Sequence, residues 1–252
     1  MSSNIVFKSL TVFIMATNET DSLRETIFQV RKYCPSQDLE EIIIVARSDN
    51  CKSYEVAQEL IKENTDNKIK LYVQKSNDNV EWVYELPFLV KGSHFVIMGA
   101  DLEMCPDNIS EFVARAKEKP EAIVCASKWI KGSVVEGYGG FHEFGSRIIN
   151  TVAAVLFDMK ATDIFSLYQI YPVSVYDRMN FDNPSTFVYE YTIKPLRLGV
   201  EYEEIPTVYK KRGEGKSRVN ILFMFEMAFK FCMTALKIRF TPKRYLNEQK
   251  HH

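Results

Sequence analysis

SHFVIMGADLE, residues 93–103, is the stretch that decides the fold. Its middle, Phe95 to Met98, is apolar without alternation and then stops at Gly99-Ala100-Asp101-Leu102-Glu103. A strand with no polar face is covered on both sides, as strands of parallel sheets are. Working outward, LTVFIMA (10–16), EIIIVA (41–46), KIKLYVQ (68–74) and EAIVCAS (121–127) share this character. Helical spacing fills the intervals: Asp21 to Val30 with Leu23, Ile27 and Val30 on one face, then Tyr54–Glu63, Trp82–Val90 and Asn108–Lys117. This alternation predicts an α/β chain with a mostly parallel sheet and helices on both faces. In such sheets ligands lie beyond the carboxyl ends of the strands. Thr17–Glu19, Arg47–Asp49 and Asp101–Glu103 should therefore converge on one crevice.

Composition narrows the function. The 252 residues are 46% hydrophobic and 26% charged, with a formal net charge of -1. That excludes a disordered or collagen-like chain. It also leaves no global field to attract nucleic acid, and no nucleic-acid partner is expected. Five cysteines, Cys34, Cys51, Cys105, Cys125 and Cys232, form no C-x-x-C pair, so buried thiols are expected rather than zinc or a disulfide framework. The N-terminal MSSNIVFKSL lacks the pattern of a signal peptide. His251 and His252 resemble a tag and are set aside with residues 247–252.

The second half reads differently. Residues 132–145 hold five of the ten glycines and predict a mobile loop. Arg147–Phe157 has helical spacing, and VEYEEIPTVY (200–209) alternates as a half-exposed strand would. KKRGEGKSR (210–218) is basic and glycine-containing. In ILFMFEMAFKFCMTALKIRF (221–240), Glu226, Lys230, Thr234 and Lys237 form a narrow polar stripe on an otherwise apolar helix. Those charges argue against a membrane span. A helix packed on the domain and one lying in a membrane interface both fit, the latter helped by Arg239, Lys243 and Arg244. The expected organisation is one domain over 1–220, an amphipathic helix over 221–246 and a tail over 247–252.

Several segments together resemble family 2 glycosyltransferases of the GT-A (Rossmann-like) fold, most nearly the polyprenyl-phosphate branch typified by dolichol-phosphate mannosyltransferase. The first strand ends in MATNE, where Asn18 and Glu19 match P-x-Y-N-E while Met15 and Thr17 replace its Pro and Tyr. VARSDNC stands for V-D-D-G-S-x-D, with Ala46 and Arg47 at the aspartate positions. GADLE stands for D-x-D-x-Q: Gly99 replaces the first aspartate, Asp101 matches the second, and Glu103 takes the Gln position. ASKWIKGSVVEGYG (126–139) resembles G-S-R-x-x-x-G-G-x-x-x-G-W, with Lys128 at the Arg. Ser146 and Asn150 match S-x-x-x-N, and His142 sits where a phosphate-binding Arg is usual. Asp163, Ser166 and Glu190 match later family positions, and Arg212, Gly215, Ser217 and Arg218 match R-x-x-G-x-S-K.

The resemblance implies an inverting glycosyltransferase that moves a sugar from a nucleotide-sugar donor to a polyprenyl phosphate. It would work at the cytoplasmic face of a membrane as a peripheral protein. Ala16, Asn18, Glu19, Arg47 and Asp101 would bind the nucleotide. Asp101, Glu103 and Arg212 would be catalytic, and Asp101 and Glu103, two apart at a strand end and so on one side, would share Mg²⁺ or Mn²⁺. Arg47 can only donate hydrogen bonds, so it would stack on a base or contact a phosphate. Lys128, His142, Ser146, Arg147, Arg212, Lys216, Ser217 and Arg218 would cradle the acceptor phosphate, which is already anionic and needs positioning more than a base. Two other readings fit: a transferase with a soluble or protein-linked acceptor, and a non-catalytic nucleotide-sugar-binding protein favoured by Ala46 and Gly99. A nucleotidyltransferase is disfavoured by TNET where a glycine-rich loop belongs. The sequence leaves sugar, base and oligomeric state open.

Overall fold

The computed structural model describes residues 5–75, 81–136, 140–157, 159–181, 186–212 and 221–246. The predominantly apolar runs form strands β1 (Leu10–Ala16), β2 (Leu39–Ala46), β3 (Ile69–Val73, with Lys70 exposed), β4 (His94–Gly99) and β5 (Ile123–Ser127). Short β6 (Val134–Val135) follows, then β7 (Gln169–Pro172), β8 (Tyr202–Pro206) and β9 (Val208–Tyr209). Seven strands make the main sheet in the order β3-β2-β1-β4-β7-β5-β8, and β6 pairs with β9 in a separate ribbon. β1, β2, β3 and β4 are parallel neighbours, as the alternation predicts. β7 is the exception, wedged antiparallel between β4 and β5.

Alternate residues of each strand cover opposite faces. Val12, Ile14, Ile42, Ile44, Val96 and Met98 pack under α1 (Asp21–Tyr33), α2 (Lys52–Glu63) and α4 (Asn108–Glu118). Phe13, Ile43, Val45, Phe95 and Ile97 face the other way, toward Trp82, Leu86, Tyr171 and Tyr191. That second layer is aromatic: the Tyr171 and Tyr191 rings stack at 4.6 Å, and Phe95 stacks on Tyr171 at 5.5 Å. Each such fully buried side chain contributes on the order of 1.5–3 kcal/mol. Helices do lie on both faces.

Three local expectations change. Trp82–Val90 is not one helix but a 3₁₀ turn, Glu81–Tyr84, and a single turn α3 (Leu86–Leu89), because Pro87 is tolerated only at a helix start. The glycine-rich 132–145 is not wholly loop: Val134–Val135 pairs with Val208–Tyr209, and α5 runs from Gly140 to Phe157. Residues 137–139 and 76–80 lie outside the described residues. Strand β7 is absent from the sequence reading altogether. Past α6 (Val173–Tyr176), helix α7 (Phe187–Leu198) ends at Gly199, whose φ of 87° lets the chain reverse into β8.

Helix α8 (Ile221–Phe240) docks on α5 and α7. Phe231, Ala235 and Ile238 are buried with Ala153, Tyr189, Ile193 and Leu246 of α9 (Lys243–Leu246) in a third core cluster. Thr234, part of the polar stripe, is buried on this docked face. Phe229, Met233, Leu236 and Phe240 point outward. Packing and an outward apolar row thus coexist on one helix. No helix among the described residues is long and apolar enough to cross a membrane. All five thiols are free; four are buried and Cys232 is exposed.

Candidate functional site

The register of the sheet brings the three expected segments together. Ala16 pairs with Ala46 across β1 and β2, and Met15 pairs with Gly99 across β1 and β4. Past these ends, the Arg47 N–H donates to the Ala16 carbonyl at 3.1 Å and the Ala100 N–H to Met15 at 3.0 Å. The Thr17–Glu19 turn is held by its own carboxylate: Glu19 Oε2 accepts the N–H of Thr17 at 2.6 Å and of Asn18 at 3.0 Å. Ser53 Oγ of α2 donates to the Glu19 carbonyl at 2.7 Å. Asn18 is exposed and Arg47 half-buried, and the Arg47 side chain makes no hydrogen bond or ion pair with the described residues.

Asp101 and Glu103 do reach the same side, but not by strand alternation. β4 ends at Gly99, and the intervening Leu102 has a φ of 60°. This left-handed residue folds the chain so that Asp101 Oδ1 accepts the Glu103 N–H at 3.2 Å. Holding a leucine there costs roughly 1–2 kcal/mol. Gly99 takes part: a Cβ at that position would lie 2.9 Å from Asp101 Oδ1, so the Asp101 carboxylate fills the space that a side chain at 99 would need.

Between the two carboxylates sits Arg212, just past β9. Its Nε is 3.2 Å from Asp101 Oδ2, and its second guanidinium nitrogen donates to Glu103 Oε2 at 3.0 Å. The Tyr209 hydroxyl donates to the same Glu103 oxygen at 2.9 Å. The main chain is tied too, with the Lys210 N–H donating to the Glu103 carbonyl at 2.9 Å. Burial pushes the Asp101 carboxyl above its ordinary range, neighbouring Glu103 adds to the rise, and Arg212 opposes it. The hydrogen bond to Glu103 raises the Arg212 guanidinium further.

For a divalent cation, the donor chemistry fits. Asp101 and Glu103 offer hard oxygen donors, and Mg²⁺ usually takes one or two carboxylates and completes its shell from phosphates and water. No cluster of three or more His, Cys, Asp or Glu side chains converges among the described residues, so the protein would supply these two.

The residues expected around the acceptor divide. Lys128 Nζ pairs with Asp163 Oδ2 at 3.0 Å, with 12% and 1% of their side chains exposed. Glu204 holds the same corner by accepting the N–H groups of Thr162 at 2.8 Å and Asp163 at 3.0 Å. Asn150 Nδ2 donates to the Ser146 carbonyl at 2.9 Å, and its Oδ1 accepts the Ile164 N–H at 2.9 Å, which makes S-x-x-x-N a tie between α5 and the 161–166 segment. Arg147 is exposed, pairs with Glu143 at 3.0 Å and lies 4.5 Å over the Trp129 ring. His142 falls in α5 with its side chain outside the described set; Lys216, Ser217 and Arg218 lie outside the described residues.

An open cavity of about 520 Å³ is lined by Trp129, Arg147, Asn150, Thr151 and Thr162 among others. A chain of contacts joins it to the carboxylates. Tyr209 bonds Glu103, Lys128 lies 5.1 Å over the Tyr209 ring and 6.0 Å over Trp129, and Arg147 covers Trp129. Tyr209, Trp129 and Glu204 were not singled out by sequence. The alternation of 200–209 would have placed Tyr209 on one strand face, but nothing local marks its partner.

Residues 11–180 match the profile of "Glycosyl transferase family 2". The fold is similar to that of glucosyl-3-phosphoglycerate synthase from Mycobacterium tuberculosis in complex with Mn²⁺, uridine diphosphate and phosphoglyceric acid. That match has a TM-score of 0.67 and 11% identity over 93% of this chain and 80% of that chain. The same synthase with Mn²⁺, UDP-glucose and glycerol 3-phosphate superposes with a TM-score of 0.66 and 10% identity, covering 93% and 81% of the two chains. At such identity the likeness carries the fold, while the profile carries the family. This chain belongs to glycosyl transferase family 2 and is a glycosyltransferase of the GT-A fold.

Proposed function

We propose that the chain transfers a sugar from a nucleotide-sugar donor to a small, soluble, phosphate-bearing acceptor, with a divalent cation at Asp101 and Glu103. The observation that carries this reading is the convergence of Asp101, Glu103 and Arg212 beyond β4, beside the ends of β1 and β2. A bound Mg²⁺ or Mn²⁺ would neutralise the charge that develops on the departing diphosphate. The protein's own part is positioning. Thr17–Glu19 forms a rigid wall, Arg47 offers donors to a base or phosphate, and Tyr209 fixes the Glu103 carboxylate. Arg147 supplies a cation at the rim of the cavity, which suits an anionic acceptor. The structurally similar synthase, with phosphoglyceric acid or glycerol 3-phosphate bound, favours a soluble acceptor over a lipid.

One observation favours a second reading, polyprenyl phosphate at a membrane surface. Phe229, Met233, Leu236 and Phe240 of α8 and Ile148, Val152 and Val155 of α5 are all exposed apolar residues on adjoining helices. Lys237, Arg239, Lys243 and Arg244 accompany them. An apolar face with basic neighbours suits peripheral attachment to anionic lipid.

The test is a transfer assay on the full chain with Mn²⁺, a panel of nucleotide sugars, and three acceptors: phosphoglyceric acid, glycerol 3-phosphate and polyprenyl phosphate in vesicles. Product on the first two supports the soluble acceptor. Product on the lipid alone supports the second reading. Nucleotide binding with transfer to none of the three would overturn both readings of the acceptor.

A further inference from the structure

Arg212 occupies the very oxygens that a cation would use. Asp101 Oδ2 faces its Nε at 3.2 Å, and Glu103 Oε2 accepts its second nitrogen at 3.0 Å. Asp101 Oδ1 is taken by the Glu103 N–H. Two carboxylates side by side repel each other, and here a guanidinium carries the compensating charge. Adding a divalent cation with Arg212 in place would set three positive charges against two negative ones in a partly buried site. Among the protein's own groups, charge balance therefore favours exchanging one cation for the other.

The grip of Arg212 is incomplete. Its Nε is closed off from solvent and, although near Asp101, makes no hydrogen bond there. An unmade bond of this kind weakens the closed arrangement. The backbone, by contrast, is anchored: the Lys210 N–H is bonded to Glu103, and Met104 bridges to Tyr209. The side chain can therefore leave without the strand moving, and with 32% of it exposed it has solvent to enter.

We propose that Arg212 is a resident counter-cation of the Asp101–Glu103 pair, which a divalent cation must displace, so that metal binding and release of the guanidinium are one coupled event. This rests on the reading of Asp101 and Glu103 as the metal-holding pair. The coupling gives the site two settings. Without metal the carboxylates are neutralised from within. With metal, an arginine is freed beside the crevice, where phosphate oxygens are its natural partners.

The experiment titrates the full chain with Mn²⁺ alone, following free Mn²⁺ by its paramagnetic resonance signal. Wild type, Arg212→Gln, Arg212→Lys and the double variant Arg212→Gln/Asp101→Asn are compared, and each is checked for folding by circular dichroism. Arg212→Gln should bind Mn²⁺ at least tenfold more tightly than wild type, Arg212→Lys should fall between, and the double variant should lose the gain. Equal Mn²⁺ affinity in wild type and Arg212→Gln would overturn the displacement while leaving the metal reading intact. Absence of Mn²⁺ binding in every variant, with or without UDP, would overturn both. A gain that survives Asp101→Asn also sinks the proposal, because the metal is then held elsewhere. Should Arg212→Gln not fold, wild type alone decides. Modification of Arg212 by phenylglyoxal, mapped by peptide mass, should speed up several-fold at saturating Mn²⁺. An unchanged rate overturns the proposal.

Discussion

The Tyr209 hydroxyl donates to Glu103 Oε2 at 2.9 Å, joining residues 106 positions apart. It fixes one carboxylate of the candidate donor site from β9, three residues before Arg212. Tyr209→Phe removes that donor alone. A hydrogen bond to a charged group contributes about 1.5–3 kcal/mol. The variant should keep its fold and lose roughly tenfold or more in kcat/KM, with nucleotide affinity measured alongside by calorimetry. Unchanged kinetics would remove Tyr209 from the site.

Gly99→Ala tests the space behind Asp101. The new Cβ would meet the end of a side chain, Asp101 Oδ1, at 2.9 Å, rather than backbone. The melting temperature should therefore move little, because the carboxylate can swing aside. Its contact with Arg212 should be lost, and Mn²⁺-dependent nucleotide affinity should change with it. A large fall in stability would mean that Asp101 cannot move.

Lys128 was expected at the acceptor phosphate, whereas the structure pairs it with buried Asp163. Lys128→Met would leave that carboxylate without its counter-charge, which costs about 3–5 kcal/mol for a buried pair. Chemical denaturation should show a loss of that size. If stability holds while acceptor KM rises, Lys128 serves the acceptor after all.

His94 gives a pH signature. Its ring is fully buried, with Nε2 donating to the Pro120 carbonyl at 2.9 Å and Nδ1 beside Ser93 Oγ at 3.0 Å. Burial holds its pKa down, from 6.5 to about 4. A depressed folded-state value means the unfolded chain takes the proton first. The contribution is thus complete above pH 6.5 and drains away as pH falls toward 4. At about 1.4 kcal/mol per unit, the full loss is on the order of 3 kcal/mol. The stability difference between wild type and His94→Gln should shrink over that window; a constant difference would refute the assignment.

Truncation before residue 221 should not yield a soluble core. Phe231, Ala235 and Ile238 are at most 1% exposed against α5 and α7, and losing them uncovers Tyr189, Ile193 and Ala153. Aggregation on size-exclusion chromatography is expected. By contrast, Met233→Ser/Phe240→Ser alters only exposed positions and should stay folded. Loss of vesicle binding in that variant, where wild type binds, would favour the lipid acceptor.

The strands were legible because the apolar runs of β1, β2 and β4 need no partner to be recognised. Asp101 and Glu103 were legible from their place at the end of such a run. Their geometry was not, since nothing in Asp-Leu-Glu announces a leucine in the left-handed region. β7 was missed because Gln169–Pro172 is too short to show periodicity. Glycines hid the start of α5, because their poor helix propensity reads as loop. The Arg212 clamp and the Lys128–Asp163 pair are long-range contacts, and spacing along the chain carries no sign of them.

The wedge of β7 between β4 and β5 also sets an order of assembly. β1 to β4 can pair with one another once the first hundred or so residues exist. β5 cannot: its neighbours are residues 169–172 and 202–206, so Ile123–Ser127 waits, apolar, for its first partner until residue 172 is made and for its second until residue 206. During synthesis the left half of the sheet is thus a foldable unit, and the right half closes late through contacts of high sequence separation. Ile123–Ser127 is accordingly the strand most exposed to mispairing on a ribosome that stalls before β8 is out.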